Sequence, residues 1–476
     1  MPTLITRGVS SAYAFGLTTA TGGRFGWMAQ LASSISLGIS AYALRVTSTG
    51  SYVVNLRMEY ADGVEYLVTL DSTGTTISAT TVFEDSPSNL ANNAVDLVLD
   101  ASDNIYSIGR RVVATPSCCG TFNYGYWTAV SKTNSSSSNL GSTYFGTGSS
   151  GAPYFTNISK FSDNTVLIAG FTLSNNAWPA IVKLNSALTS VSWGLQKNSN
   201  VYLPVTASID TSDNVIALQV ENSSGRLNIL KITSAGSITY KKFLNGFGNY
   251  YWGTFAQGAV SKPVFDASSN IYFTGNYFYQ SPACCCNFYY LPRAMAVSVD
   301  STASTLRFAK GYVSSNGTIQ GPTTPAKDSS DNMYFASYYT GAQGTGTIIM
   351  KINSSGVLQW ARTITQSGYP PTVPTTGVTD IAIDGTNFVL SMSGGGAGKS
   401  FVLKMPTDGS GSGTTFSLGG LTYVYGTPTD FSVVDLTGLT IATDASSSWT
   451  SYTPTLTTTG LAPAASTVFT VTNKKI

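Results

Sequence analysis

The residues of this chain best suited to contact another molecule are aromatic. Tyr124, Tyr126, Trp127, Tyr250, Tyr251, Trp252, Tyr277, Tyr279, Phe288, Tyr289 and Tyr290 lie in or beside three long connections. Exposed rings with Asn and Ser nearby equip a sugar-binding or protein-binding surface, because each ring offers a broad apolar face and Tyr and Trp add a polar tip. Such rings also pack connections onto a scaffold, and residues of both kinds are expected among these. Catalysis has less to work with. No histidine occurs in 476 residues, which excludes Ser-His-Asp, Cys-His and histidine-liganded metal arrangements. A glycosidase needs two carboxylates about 5–10 Å apart. Most aspartates here sit in repeated turns, and Glu59, Asp62, Glu65, Glu84, Asp85 and Glu221 are scattered. Glu59 and Glu65 flank an Ala-Asp-Gly turn and read as a solvated hairpin tip.

The cysteines, Cys118, Cys119, Cys284, Cys285 and Cys286, form two clusters without the C-x2-C spacing of zinc sites. A disulfide between the clusters requires Cα atoms within about 7 Å. Local pairing, contact with a neighbouring subunit and buried free thiols are the alternatives. Five is odd, so at least one thiol is left over within a chain. No cofactor and no metal site is expected.

The aromatic connections interrupt a repeat. Asp328 to Trp360 reads as three strands, NMYFAS, GTIIMKI and GVLQW, introduced by an S-D-N turn with Asp331 and Asn332 at its centre, residues that tolerate positive φ. The unit recurs seven times, with a period of about 56 residues from Tyr52 to Val389. Asp100, Asp210, Asp266, Asp328 and Asp384 open the turns, with Val46 and Lys160 in the other two copies. Lys132, Lys183, Lys231, Lys351 and Lys404 hold one column of the third strand, where they are expected to partner the repeated Asp. The Asp and Asn groups are not read as calcium loops, which need six to eight oxygens. Four short strands fit one period, and a radial array of such sheets is a β-propeller.

The D-x-S-D-N-I-Y-x-x-G pattern, the V-x-K-x-N strand and the G-x-x-x-W strand resemble the repeat of bacterial and tailed-phage β-propeller proteins over roughly residues 42–420. The resemblance implies an all-β propeller of seven blades, each of four antiparallel strands, with eight as the alternative. Ser10–Leu17 resembles the opening of propeller-type virion proteins, the other reading being an N-terminal arm over 1–26. GWMAQLASS, residues 26–34, resembles an outermost, Trp-bearing strand, so 27–420 is expected to be a propeller closed by its N-terminal strand. Residues 421–476 are expected to be a C-terminal extension or a partial eighth blade.

Composition sets the function class. Charged residues make up only 10% of the chain and the net charge is +2, which argues against nucleic-acid binding. No run of 18 apolar residues occurs, so no spanning helix is expected. A Ser-, Thr- and Asn-rich surface fits a virion protein, or otherwise a bacterial surface or extracellular protein. The expectation is a non-enzymatic virion component, an adhesin or appendage that reads a host-surface glycan or a partner protein through its aromatic loops. It would sit among other virion subunits in a symmetric homo-oligomer. A purely structural connector subunit is the alternative. A carbohydrate-active enzyme is the third reading, favoured by a carboxylate pair in one pocket.

Overall fold

The computed structural model describes residues 26–33, 39–58, 65–83, 93–116, 122–135, 138–145, 154–172, 178–197, 205–221, 226–245, 250–252, 260–281, 289–366, 377–394, 399–418, 421–444, 449–452, 454, 456–457, 464–465 and 469–475. Ser10–Leu17, all five cysteines, Phe288, Glu59, Asp62, Glu84 and Asp85 lie outside the described residues.

The fold starts from its turns. One oxygen of Asp100 accepts the Ser102 and Asn104 N–H groups at 2.9 Å, and the other accepts the Asn104 side-chain amide at 2.8 Å. Asp210, Asp266 and Asp328 repeat the arrangement. Their donors are the turn's own N–H groups, which is the chemistry of an Asx turn. Positive φ falls on Asp103, Asp213, Ser269 and Asp331. The following Asn does not take it. Asn332 instead gives its backbone and side-chain N–H groups to Asp328. Two alignments shift by one residue. Phe161, not Lys160, occupies the Asp100 position, and Thr47, not Val46, opens the first turn, as their N–H bonds to Thr165 and Ser51 show.

Each turn joins the first two strands of a four-stranded antiparallel unit. The first unit is Ile39–Val46, Tyr52–Met58, Glu65–Leu70 and Thr76–Phe83. The second is Asn93–Leu99, Ile105–Pro116, Phe122–Thr133 and Asn139–Phe145. The third is Tyr154–Lys160, Val166–Thr172, Trp178–Leu184 and Val191–Lys197, and the fourth is Thr206–Ile209, Val215–Glu221, Arg226–Ile232 and Ile238–Asn245. The fifth is Val264–Phe265, Ile271–Ser281, Tyr289–Val299 and Leu306–Ser314, and the sixth is Ala326–Lys327, Met333–Gly341, Gly344–Ile352 and Leu358–Gln366. Ile319–Gln320 pairs with both of these last two and joins them in one sheet. The seventh is Gly377–Asp384, Asn387–Gly394 and Lys399–Pro406, completed by Trp27–Ser33.

The lysine column holds its register. Lys132, Lys183, Lys231, Lys351 and Lys404 each face the same position of the second strand. Lys132, Lys231, Lys351 and Lys404 lie 3.9, 3.3, 4.0 and 2.7 Å from Asp100, Asp210, Asp328 and Asp384. Where Phe161 replaces the Asp, Lys183 sits 4.0 Å over its ring. Where Ser298 replaces the Lys, Arg307 from the fourth strand reaches Asp266 at 3.3 Å.

Among the described residues the apolar core is divided into layers between units. Ala43, Val53 and Leu67 of the first unit meet Leu97, Ile105 and Tyr144 of the second. Equivalent layers join second to third, third to fourth, fourth to fifth, fifth to sixth and sixth to seventh. Trp27, Ala29 and Leu31 then join the seventh to Leu44, Tyr52 and Val68 of the first. The arrangement is β-propeller-like. Fourth-strand aromatics dock on the next unit. Trp360 Nε1–H donates to the Thr407 carbonyl at 3.1 Å, and its ring lies where a Cβ on Gly409 would be at 2.9 Å. Gly409 has φ 73°, so both its conformation and its neighbour exclude a side chain. Trp193 and Gly236 repeat the pair.

The described strands after Pro406 pair with the units already formed. Leu421–Gly426 adds a strand outside the sixth unit, Phe431–Asp435 outside the fifth and Thr440–Thr443 outside the fourth. Trp449–Ser451, Leu456–Thr457 and Ala464–Ala465 follow on the third, second and first. Phe469–Lys475 ends the belt against Trp27–Ser33 in the seventh. Thr414–Leu418, which the repeat would place fourth in the seventh unit, pairs instead with Leu421–Gly426, because Trp27–Ser33 occupies its position. Asp430 anchors the belt. It accepts the Ser314 and Tyr339 hydroxyls at 2.7 and 2.5 Å and the Ala342 N–H at 3.0 Å.

Trp360→Ala removes a docked ring and a buried donor together, and should lower unfolding stability by about 3 kcal/mol in urea titrations. The turn carboxylates set the acid limit. Burial works to raise Asp100, Asp266 and Asp328, but the Asn amides and turn N–H groups outweigh it and hold them below the usual range. A folded pKa below the unfolded value gives stability that is complete above about pH 4 and lost as pH falls through the folded pKa. The urea midpoint should therefore stay level from about pH 8 to 5 and fall steadily below about 4.

Candidate functional site

Two units carry second and third strands longer than the rest. The second unit extends Ile105–Pro116 and Phe122–Thr133 to 12 residues each, and the fifth extends Ile271–Ser281 and Tyr289–Val299 to 11, against 7 in the third unit. The hairpins keep regular register past the framework. Trp127 stands opposite Arg111, Tyr126 opposite Val112 and Tyr124 opposite Ala114. In the fifth unit Tyr279 stands opposite Leu291, Tyr290 opposite Gln280 and Tyr289 opposite Ser281.

Tyr250–Trp252 then adds a third strand to that second hairpin, with Tyr250 opposite Tyr279, Tyr251 opposite Phe278 and Trp252 opposite Tyr277. Two aromatic stretches separated in sequence thus share one small sheet. Tyr124, Tyr126 and Trp127 lie on the other hairpin, which no described strand pairing joins to this sheet. Tyr277 differs from the other candidates. It is fully buried in the layer between the fourth and fifth units, packed with Val260 and Leu436. Its hydroxyl would lie 2.5 Å from a Cβ on Gly311, so it is a core residue and not part of a ligand surface.

A second cluster, absent from the sequence expectations, lies where the innermost strands converge. Arg45 donates to Asp380 at 2.5 Å and to Asp96 at 2.9 Å. Lys262, from the fifth unit, donates to Asp96 at 2.6 Å and to the Ile158 carbonyl at 2.5 Å. The two carboxylates also accept backbone N–H groups of the following units. Asp380 takes Leu44 N–H and Asp96 takes Ile158 N–H, both at 3.0 Å, while Asn157 takes Ala207 N–H at 2.9 Å. Asp96, Asn157 and Asp380 each stand just past a register shift that interrupts the inner strand. Such bulges re-aim a side chain. A legible signal existed: Asp96, Lys262 and Asp380 each lie four residues before Asp100, Asp266 and Asp384.

Burial disfavours the charges of Arg45, Lys262 and Asp380. Arg45 nevertheless lies above its usual range, because Asp380 and Asp96 outweigh the burial. Burial wins at Lys262, which is lowered despite Asp96, and at Asp380, which is raised despite Arg45 and the Leu44 N–H. Two cations balance two carboxylates, and the donors on both acids leave little capacity for an added substrate proton. The cluster's evident work is to tie inner strands together. Among the described residues no group of three or more Cys, Asp and Glu is placed to hold a metal ion. Glu221 pairs with Lys197 at 2.6 Å.

No family model and no curated protein matches the chain. Solved structures resemble it at low identity. A quinohemoprotein alcohol dehydrogenase, ADHIIG, from Pseudomonas putida HK5 is similar with TM-score 0.39 and 11% identity over 76% of this chain, which spans 66% of that protein. The polysaccharide lyase Uly1 gives 0.42 and 8%, over 78% of this chain and 90% of the lyase. Drosophila Plexin A in complex with Semaphorin 1b gives 0.29 and 10%, over 78% and 87%. At these values the strand pairing carries the fold, and no function transfers.

Lys262→Met should cost about 3 kcal/mol or more, since it leaves the buried Asp96 short of a partner. Adding Asp96→Asn should recover about 1–2 kcal/mol of that loss, read as coupling in a double-mutant cycle by urea unfolding.

Proposed function

We propose that the chain is a closed seven-bladed propeller serving as a non-enzymatic virion protein of a tailed phage, an adhesin that reads a host-surface glycan or a partner protein. The observation that carries the binding role is the joining of Tyr250–Trp252 to the extended hairpin bearing Tyr279, Tyr289 and Tyr290. A rigid scaffold that projects one long aromatic hairpin assembles a binding platform from elements the ring does not need. Sheets hold rings at fixed spacing, so little conformational entropy is lost on stacking against a flat partner such as a pyranose. The virion assignment rests on the repeat resemblance and on the charge-poor, Ser- and Thr-rich composition. Membership of a symmetric assembly belongs to the same reading.

One observation favours the enzymatic alternative. Asp380, raised by burial and close to a second carboxylate through Arg45, has the direction of shift that a general acid requires. Its bonds to Arg45 and to the Leu44 N–H weigh against that role. Binding separates these readings. Fluorescently labelled protein should bind intact cells of a susceptible bacterial strain saturably, and Tyr250→Ala, Tyr251→Ala and Trp252→Ala combined should reduce that binding at least tenfold with the fold intact by circular dichroism. Absence of binding by the unaltered protein moves the reading to a connector subunit. Glycan cleavage abolished by Asp380→Asn moves it to the enzyme.

A further inference from the structure

The strand Trp27–Ser33 closes the ring, and its position is exposed to loss. It comes from the N-terminal end, yet it completes a sheet whose other strands lie near residue 400. Its side chains serve two layers at once. Met28 packs between the sixth and seventh units, while Trp27, Ala29 and Leu31 pack between the seventh and the first. Withdrawal of this one strand would open both layers. Among the described residues its strand partners are Lys399–Pro406 on one edge and Phe469–Lys475 on the other.

The belt is uneven in a way that matches this weakness. Its strands on the other six units run from two to six residues, whereas Phe469–Lys475 has seven and pairs along the whole of Trp27–Ser33. The belt also visits all six other units before it reaches the seam. We propose that Phe469–Lys475 is a seam lock, a strand that seats after the ring has closed and prevents Trp27–Ser33 from leaving until the belt has been released. Opening then requires two strand separations in sequence. The barrier to unfolding rises with little demand on the order in which the units first assemble.

Hydrogen–deuterium exchange tests this on the full chain, on a chain ending at Ala465, and on full-length Val471→Pro and Thr472→Pro variants. Successive N–H groups of a strand point to opposite edges, so one of the two prolines removes a donor that faces Trp27–Ser33. Amides of 27–33 should exchange at least tenfold faster in the shortened chain and in at least one proline variant, with amides of 191–197, three units away, unchanged. Unchanged exchange at 27–33 overturns the lock. So does an equal acceleration at 191–197, which would make the tail a general stabiliser. If the shortened chain does not fold, the two proline variants decide by the same comparison.

Discussion

An array of radial sheets depends on what becomes of its unpaired edges. Every four-stranded unit has an inner and an outer strand with main-chain groups that no strand of the same repeat can satisfy. Buried and unpaired, such groups cost free energy, and exposed they recruit foreign strands. This chain treats its two rims differently. At the inner rim, side chains of three units supply acceptors to the next unit. Asp380, Asp96 and Asn157 accept N–H groups from Leu44, Ile158 and Ala207 of the next unit. At the outer rim, where space is ample, the tail supplies a fifth strand to each unit in turn. The bulges that aim the inner acceptors and the 55 residues after 421 serve one requirement.

The rims matter because the interior is laminar. Each apolar layer belongs to two adjacent units, so a fault at one position is shared by two neighbours, and the ring is only as sound as its weakest joint. Docked aromatics address this directly. Trp27, Trp193 and Trp360 each give an indole N–H to a carbonyl in the following unit's turn. Turns also bond turns, as Ser48 does to Asp103 and Ser162 to Asp213. A chain with only 10% charged residues thereby obtains specific contacts between units from hydroxyls, amides and indoles. Buried charges recur in the turns and strands, at Lys197, Asp210 and Asp266 among others, and four charges meet at Arg45, Asp96, Lys262 and Asp380.

Legibility followed repetition. The turn chemistry, the lysine column and the closing strand could all be read because each appears in several copies, or, for Trp27, because it copies the strands around Trp193 and Trp360. Sequence and structure part at Lys160, which precedes S-D-N at the same distance as Asp100 does, yet the turn closes one residue later and Phe161 takes the Asp100 position. The aromatic stretches were visible, but their partnership was not, since nothing in LNGFGNYYWGTF announces that Tyr250–Trp252 will pair with Tyr277–Tyr279. The central cluster was missed because its members differ in sign and type. For Asp96, Lys262 and Asp380 the common distance of four residues from the turn Asp is the shared signal, and Arg45 stands outside it.

The tail from 421 reads as strands in the sequence, but the order in which they visit the units does not, for a geometric reason. Belt strands repeat no motif, because each pairs through main-chain groups, while the side chains that reach the apolar layers, such as Tyr423, Tyr425 and Phe431, differ from unit to unit. Their spacing comes from the ring. The links 427–430 and 436–439 are four residues each and bridge at most about 18 Å from one strand end to the next, which leaves no length for a detour over the surface. Each belt strand must therefore end close to where its successor starts. Sheet twist makes that feasible. With roughly 20–25° between neighbouring strands, the fourth strand is strongly inclined to the first, and a strand antiparallel to it advances around the rim as it climbs. A chain leaving Pro406 finds its own unit's outer position already filled by Trp27–Ser33, and its later strands pair along the other six rims, from the sixth unit down to the first, before the last returns to the seam.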